Sequence, residues 1–215
     1  HEKVSAAEAQ QRALDLFERV QIPSPERRLR AFSHELSGGM RQRAMIALAL
    51  ACQPSVLLAD EPTTALDATV QIQILLLLRE LQRELGMAVI FVTHDVGVAV
   101  EIADRIAVMY AGRFVETGPT TKIINSPQHP YTKGLLSSTV NSSSRGQRLK
   151  AIPGSPPDMT QLPIGCAFGP RCDHVHPACR AQVPAETQLA GVDDYMVRCL
   201  LADGPLELTQ NPNVN

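Results

Sequence analysis

Apolar residues form short uninterrupted runs along this chain, and these runs predict alternating strands and helices. Val56 to Ala59 and Ala88 to Val92 are apolar at every position, which is typical of strands buried on both faces of a parallel sheet. The segment between them, roughly Thr69 to Leu85, predicts a helix with Asp67 near its start and Gly86 after its end. A strand, a helix and a strand at this spacing form a crossover that brings both strand ends to one edge of the sheet. We therefore predict an α/β fold.

Two further patterns predict elements on either side of this unit. Ala6 to Val20 has the spacing of an amphipathic helix, with Ser5 and Glu8 placed to form a capping box. Arg105 to Tyr110 and Arg113 to Thr117 are separated by an Ala-Gly turn and predict a hairpin on the edge of the sheet.

Composition narrows the class of protein. The chain has 215 residues, of which 44% are hydrophobic, enough for one substantial core and a smaller appendage. Its net charge is −2, so we do not expect a nucleic-acid partner. The longest uncharged apolar stretch, Ala44 to Cys52, is much shorter than a bilayer span, so membrane association is expected through a partner. Prolines are frequent after Gly118, and the polar residues 141–146 predict a flexible link.

A serine and two glycines precede the apolar helical run that starts at Ala44. Ser37 can cap this helix, and Gly38 and Gly39 have no Cβ that would keep a ligand away from the backbone. The free N–H groups and the positive end of a helix dipole favour a bound phosphate. Glycine-rich helix starts are common, so this segment alone also fits an ordinary N-cap.

An acid pair and a histidine stand at the ends of the two predicted strands. Asp60 and Glu61 end the first run, and His94 comes two residues after the second. Open α/β sheets bind ligands at this edge, so Asp60 is placed to hold Mg²⁺ and Glu61 to polarise an attacking water. His94 can then reach the same phosphate. Taken separately, the acid pair also fits a helix N-cap and the histidine a structural role.

The combined order L-S-G-G-x-x-Q-R, D-E, A-L-D and T-H-D resembles the ATP-binding cassette (ABC) ATPase family over about residues 30–118. The resemblance implies the C-terminal half of a RecA-like nucleotide-binding domain, with a mainly parallel sheet and flanking helices. It also implies ATP and Mg²⁺ as cofactors.

The resemblance gives each motif a role. Leu36 to Gln42 would be the signature loop, which contacts the nucleotide bound by a partner subunit. Asp60 would be the Walker B aspartate that binds Mg²⁺, Glu61 the catalytic base and His94 the switch histidine. Ala65 to Asp67 would be the D-loop. The residues expected to bind ATP are Leu36, Ser37, Gly38, Gly39, Gln42, Asp60 and Asp67.

Three features of the family are missing from these 215 residues. The sequence contains no G-x-x-x-x-G-K-[ST], the loop and lysine that cradle the β- and γ-phosphates, and the family's Q-loop and adenine-stacking aromatic residue are missing as well. We therefore expect the chain to be the C-terminal portion of a longer subunit and not to hydrolyse ATP by itself. The alternative is a natural chain that has lost the G-x-x-x-x-G-K-[ST] motif and acts as a partner.

The second half of the chain narrows the resemblance to a subfamily. Pro127 to Thr132 contains H-P-Y-T, Leu149 to Pro157 matches L-x-x-I-x-G-x-P-P, and Leu162 to Cys172 matches L-P-x-G-C-x-F-x-x-R-C. With A-D-E-P-T-T-A-L-D at Ala59 to Asp67, these motifs resemble the ATPases of oligopeptide and dipeptide importers.

The subfamily resemblance implies a peripheral protein on the cytoplasmic face of the bacterial inner membrane that powers uptake of dipeptides or oligopeptides. The expected partners are a second ABC ATPase subunit in a heterodimer, two transmembrane permeases and a periplasmic substrate-binding protein. Importers of nickel or glutathione use similar subunits and are the alternative within this class.

These resemblances predict that the chain is divided into four parts. Residues 1–35 would be the end of a helical subdomain and residues 36–118 the RecA-like core. Residues 119–201 would be the loop-rich C-terminal extension, and residues 202–215 a disordered tail.

Four of the five cysteines lie close together near the end of the chain. Cys52 is expected to be a small core residue. Disulfides are not expected among Cys166, Cys172, Cys179 and Cys199, because ATP-driven subunits face a reducing cytosol. Zinc, an iron–sulfur cluster and four independent buried thiols all remain open. The subfamily resemblance implies a [4Fe–4S] cluster at these cysteines, with zinc as the alternative. His174 and His176 are expected to face solvent.

Two hypotheses belong to other classes of protein. A chromosome-maintenance ATPase also carries a signature loop, but it would need long heptad repeats, which this sequence does not contain. A non-catalytic metal or redox-sensing module would require a degenerate cassette, whereas Glu61 and His94 are both present.

Overall fold

The computed structural model describes residues 3–138 and 151–202. Contacts divide the chain into two compact units, of which the first ends at His94 and the second begins at Asp95. The division into four parts given above stays a prediction. The predicted link at 141–146, the first two residues of the 149–157 motif and all but the first residue of the predicted tail lie outside the described residues.

The first unit has three α-helices followed by a β–α–β unit. Its elements are α1 (Ala6–Arg19), α2 (Pro25–Arg28), α3 (Gly38–Leu50), β1 (Val56–Asp60), α4 (Ala68–Leu85) and β2 (Ala88–Val92).

The predicted β–α–β unit is confirmed. Strands β1 and β2 pair in parallel, with Val56 opposite Ala88 and Asp60 opposite Val92. The helix between them begins and ends where its caps predict, because the Asp67 side chain accepts the Val70 N–H at 3.0 Å and Gly86 has a φ of 63°.

The prediction that both strands are buried on two faces is wrong for the part of the chain that the structure describes. Leu57 and Ala59 are buried, but Leu58 on the opposite face of β1 is 71% exposed. Ile90 on β2 is 54% exposed. The apolar run shows which residues can be buried, but it does not show how many layers cover the sheet.

A buried arginine joins α3 to the end of α1. Arg43 donates from Nη1 to the Val20 carbonyl at 2.8 Å and to the Gln21 side-chain oxygen at 3.3 Å. Val20 itself is fully buried. At the other end of α1, Ser5 Oγ accepts the Glu8 N–H at 3.2 Å, which is the serine half of the predicted capping box. The Glu8 carboxylate accepts from Arg12 at 2.8 Å instead of completing the box.

The second unit is built on an antiparallel sheet. Its elements are α5 (Val96–Ile102), β3 (Arg105–Tyr110), β4 (Arg113–Pro119), α6 (Thr120–Asn125), α7 (Pro130–Ser137), α8 (Pro177–Ala181), β5 (Thr187–Gln188) and β6 (Met196–Val197). The strand order is β3-β4-β6-β5.

The predicted hairpin forms, but its place in the fold differs from the prediction. Ala111 and Gly112 take φ values of 48° and 75°, which a tight hairpin turn requires. Strand β4 then pairs with β6 in a separate four-stranded sheet, and not on the edge of the β1–β2 sheet. The two residues of β6 come about 80 positions later, too few to produce a detectable alternation.

Aromatic rings fill the core of the second unit. The Tyr110 ring lies 4.6 Å from the Tyr131 ring and 5.3 Å from the Phe168 ring. Arg171 donates to the Pro153 carbonyl at 2.8 Å and to the Tyr110 hydroxyl at 3.3 Å, so it ties the segment after residue 151 to this cluster. Within residues 3–138 and 151–202, no helix has both the length and the apolarity that a bilayer span requires.

Candidate functional site

The ends of β1 and β2 bring the acid pair and the histidine to one edge of the parallel sheet. Asp60 is the last residue of β1, and the Glu61 N–H continues the pairing by donating to the Val92 carbonyl at 2.9 Å. His94 follows β2 by two residues. Its Nδ1 lies 2.9 Å from Glu61 Oε1. The structure therefore brings the side chains of Glu61 and His94 into contact at this edge, and it places Asp60 at the end of the neighbouring strand.

The Glu61 carboxylate is held from two sides. In addition to His94 at Oε1, Thr64 Oγ1 donates to Oε2 at 2.8 Å. The hydrogen bond with His94, and then the one from Thr64, hold the pKa of Glu61 below its ordinary value. Glu61 also has a φ of 44°, an uncommon conformation for a residue with a side chain. The result is an ionised, solvent-accessible carboxylate in a fixed orientation.

The glycine-rich segment starts α3 as predicted. Ser37 Oγ accepts the Met40 N–H at 3.3 Å, and Ser37 and Gly38 are exposed at the N-terminal end of this 13-residue helix. Gly39 has an additional, internal reason to be glycine, because a Cβ there would lie 2.7 Å from Val70 Cγ1 on α4. Leu36 is buried and Gln42 is half-buried.

Asp60 and Asp67 differ in what their carboxylates do. Asp67 uses its side chain to cap α4, whereas Asp60 is exposed at the end of its strand. An exposed carboxylate at the edge of a parallel sheet has the hard oxygen donors that Mg²⁺ prefers. The other expected nucleotide-binding residues, Leu36 to Gln42, are in a different element. They form the first turn of α3 and the residues just before it.

The four clustered cysteines line one cavity in the second unit. Cys166, Cys172, Cys179 and Cys199 surround it together with His129, Phe168 and His174. All four are free thiols. In the described residues, no three His, Cys, Asp or Glu side chains converge closely enough to hold a single metal ion.

Backbone N–H groups point at three of these sulfur atoms. The Cys166 thiol accepts from Phe168 and Gly169, and the Cys199 thiol accepts from Leu201. The Cys172 thiol accepts from the backbone of His174. Burial raises the pKa of all three thiols, that of Cys199 to about 11, while the N–H donors oppose this rise by favouring the thiolate.

Gly165 allows the backbone at Cys166 and the backbone at Cys179 to come close together. The Cys166 N–H donates to the Cys179 carbonyl at 2.7 Å. A Cβ on Gly165 would lie only 2.1 Å from that same carbonyl oxygen. The backbone can therefore close here only because residue 165 has no side chain.

Two sequence-based expectations about single residues are wrong. Cys52 is exposed, because α3 ends at Leu50 and Cys52 lies in the turn that follows. His176 is half-buried, and its Nε2 is a buried atom without a hydrogen-bond partner among the described residues. His174 is exposed as expected, yet it lines the cysteine cavity.

The sequence reading missed a buried carboxylate in the second unit. Glu116 on β4 is 1% exposed and accepts the backbone N–H groups of Gln128 at 2.5 Å and His129 at 3.0 Å. It also accepts the Tyr195 hydroxyl in a short hydrogen bond. Burial, and then the bond to Glu116, raise the pKa of Tyr195. The sequence signal that could have identified this residue was a glutamate among the alternating apolar residues of a predicted hairpin strand.

The H-P-Y segment, His129 to Tyr131, starts at the residue whose N–H is accepted by Glu116. His129 caps α7 with its Nδ1, which accepts the Tyr131 N–H at 3.0 Å. The ring is buried, and burial lowers the pKa of His129 to about 4. The imidazole is therefore neutral at neutral pH.

Comparison with known proteins identifies the family. Residues 1–64 match the family described as "ABC transporter", and residues 115–179 match "Oligopeptide/dipeptide transporter, C-terminal region". The oligopeptide transport ATP-binding protein OppD of Bacillus subtilis is 54% identical over 175 residues, which cover 81% of this chain and 49% of OppD. The dipeptide transport ATP-binding protein DppD of the same organism is 47% identical over 203 residues, covering 94% of this chain and 60% of DppD.

Among solved structures, CbiO1 from Clostridium perfringens, part of the ABC transporter complex CbiONQ, is similar with a TM-score of 0.51 and 33% identity. That similarity covers 58% of this chain and 48% of CbiO1. The chain spans only 49 to 60% of the length of the two peptide-transport relatives. The fold is thus that of an ABC nucleotide-binding domain. The chain belongs to the ABC transporter family, and its second unit carries the C-terminal region of the oligopeptide and dipeptide transporters.

Proposed function

We propose that this chain supplies catalytic and partner-binding residues to the ATP-hydrolysing subunit of an ABC importer for oligopeptides or dipeptides. The observation that carries the proposal is the contact between Glu61 and His94 at the edge of the parallel sheet. OppD and DppD, whose names give them peptide transport and ATP binding, support the choice of substrate class.

In the proposed mechanism, Glu61 accepts a proton from the water that attacks the terminal phosphate of ATP. Its ionised carboxylate and its two hydrogen bonds fix the orientation that this step needs. His94 is 79% exposed and uses Nδ1 for its bond to Glu61, so in the protonated form its Nε2–H would donate to the terminal phosphate as negative charge develops. Mg²⁺ bound at Asp60 would offset charge on the phosphates.

The signature segment is proposed to serve the nucleotide of a second ABC ATPase subunit. Ser37 and Gly38 are exposed at the start of α3, where helix N–H groups favour a phosphate. Leu36, Gly39 and Gln42 are proposed to belong to the same nucleotide-binding segment. In this arrangement the two ATPase subunits form a heterodimer.

Replacing Ser37 with arginine tests the role of the signature segment. A long cation at the end of α3 would block the approach of a nucleotide, so we expect peptide uptake to fall at least about tenfold. The lost cap costs only about 1 kcal/mol, so folding is retained. Ser5→Arg is the matched control, since Ser5 caps α1 in the same way and at a similar distance, 3.2 Å. Equal uptake in the two variants would contradict the assignment.

The remaining partners follow from the proposed importer. We propose two transmembrane permeases and a periplasmic substrate-binding protein, with this subunit bound peripherally to the permeases at the cytoplasmic face of the inner membrane. Uptake of labelled dipeptides and oligopeptides by cells with and without the gene tests this. Loss of nickel or glutathione uptake with peptide uptake intact would overturn the peptide assignment.

We also propose that the four clustered cysteines hold a [4Fe–4S] cluster. Their shared cavity and the backbone N–H groups directed at three of the sulfur atoms fit a group that needs four thiolates. A single zinc ion fits less well, because no three donors converge on one point in the described residues. Bound there, the cluster would supply a rigid link among the loops of the second unit.

Cys166→Ser tests the cluster. We expect this variant, prepared anaerobically, to lose the iron, the acid-labile sulfide and the visible absorbance of the wild-type protein. Cys52→Ser is the control, because Cys52 is exposed and lies outside the cavity. Stoichiometric zinc without sulfide in the wild type would replace the cluster by a zinc site, and absence of any metal would refute both.

A further inference from the structure

His129 places an imidazole in the wall of the cysteine cavity. It is 1% exposed, and it lines the cavity together with all four cysteines. Its ring lies 5.9 Å from the ring of Phe168, which belongs to the loop between Cys166 and Cys172. The cavity wall therefore contains a side chain that comes from α7 rather than from the cysteine loops.

Two hydrogen bonds fix the orientation of His129. Its backbone N–H donates to Glu116 Oε2 at 3.0 Å, and its Nδ1 accepts the Tyr131 N–H at 3.0 Å. An imidazole whose Nδ1 accepts a hydrogen bond in the neutral form carries its proton on Nε2. Among the described residues, the one hydrogen bond found for the ring is that from the Tyr131 N–H to Nδ1, and none is found for Nε2. The ring thus presents one N–H donor that the protein itself does not use.

We infer that His129 is a positioning residue whose Nε2–H donates a hydrogen bond to a sulfur atom of the group held by the four cysteines. The inference rests on the proposed iron–sulfur cluster. The donors at Cys166, Cys172 and Cys199 are all backbone N–H groups. His129 would add a donor from a side chain.

This donor has a measurable electrostatic effect. Reduction adds negative charge to an iron–sulfur cluster, and an N–H directed at a sulfur atom stabilises that charge. Loss of the donor therefore shifts the midpoint potential to a more negative value. A side chain that only supported the fold would change stability without changing the potential of the folded, loaded protein.

The variant His129→Asn separates the two roles. Asparagine is a favoured N-cap residue and can still accept the Tyr131 N–H, but its short side chain cannot also extend a donor into the cavity. We expect wild-type iron and sulfide content and a midpoint potential more negative than that of the wild type. His174→Asn is the matched control. It changes an exposed side chain on the same cavity but keeps the backbone N–H at Cys172, so its potential is expected to match the wild type.

A second measurement makes the test independent of variant folding. Pulsed EPR of the reduced wild-type protein with ¹⁵N in its histidine rings is expected to show a ring-nitrogen coupling to the cluster, which persists in His174→Asn. An unchanged potential in a loaded His129→Asn protein, or absence of the coupling, would overturn the inference while leaving the cluster in place. A wild-type protein without iron and sulfide would instead refute the proposed cluster, and the inference with it.

Discussion

Replacement of Glu61 by glutamine is expected to lower ATP hydrolysis by the assembled transporter at least about 100-fold, the usual contribution of a general base. Glutamine keeps the size of the side chain and can still accept from Thr64, but it cannot take a proton from water. The hydrogen bonds from His94 and Thr64 hold Glu61 ionised, and a neutral amide lacks that negative charge. Phosphate release by the transporter in vesicles measures the effect.

Glu80→Gln is the control for this experiment. Glu80 is an exposed carboxylate on α4 that also accepts a side-chain hydrogen bond, from Gln21 at 3.2 Å. Its replacement is expected to leave hydrolysis near the wild-type rate. Wild-type hydrolysis by Glu61→Gln would contradict the proposed mechanism and would favour a non-catalytic metal or redox-sensing role for this chain.

The second large effect is expected at Glu116. Its replacement by alanine leaves the N–H groups of Gln128 and His129 and the Tyr195 hydroxyl without their buried acceptor. A buried donor left without its acceptor costs about 1–3 kcal/mol, so the loss of this shared acceptor is expected to cost about 3–5 kcal/mol in total. We expect a decrease of this size in the free energy of unfolding, measured by urea denaturation followed by circular dichroism.

Glu186→Ala gives the comparison within the same unit. Glu186 forms a partly exposed ion pair with Arg198 at 3.3 Å, and pairs of this kind contribute about 0–1 kcal/mol. Its loss is therefore expected to change the free energy of unfolding by less than about 1 kcal/mol. Similar losses for the two variants would show that the Glu116 network is not a principal source of stability.

Local signals predicted the parts of the fold that depend on local chemistry. Asp67 and Gly86 marked the ends of α4, and Ser37 marked the start of α3, because capping residues act on the helix turn next to them. The meeting of Glu61 with His94 was also predictable, since parallel strands joined by a crossover place both their ends on one edge.

Contacts between distant segments were not predictable in this way. Glu116 and Tyr195 are 79 residues apart, and no periodic pattern relates one to the other. The exposed face of β1 was missed because an apolar residue such as Leu58 has the same identity whether or not a second layer covers it. The partner of β4 was missed because β6 is only two residues long.

The close contact at Gly165 limits how this region can vary. As long as the Cys166 N–H stays bonded to the Cys179 carbonyl, even a methyl group at position 165 would overlap that oxygen. Alanine, the most conservative exchange, is therefore as incompatible here as a bulky residue. A homologue with any other amino acid at this point must route its chain differently where the first and third of the four clustered cysteines meet.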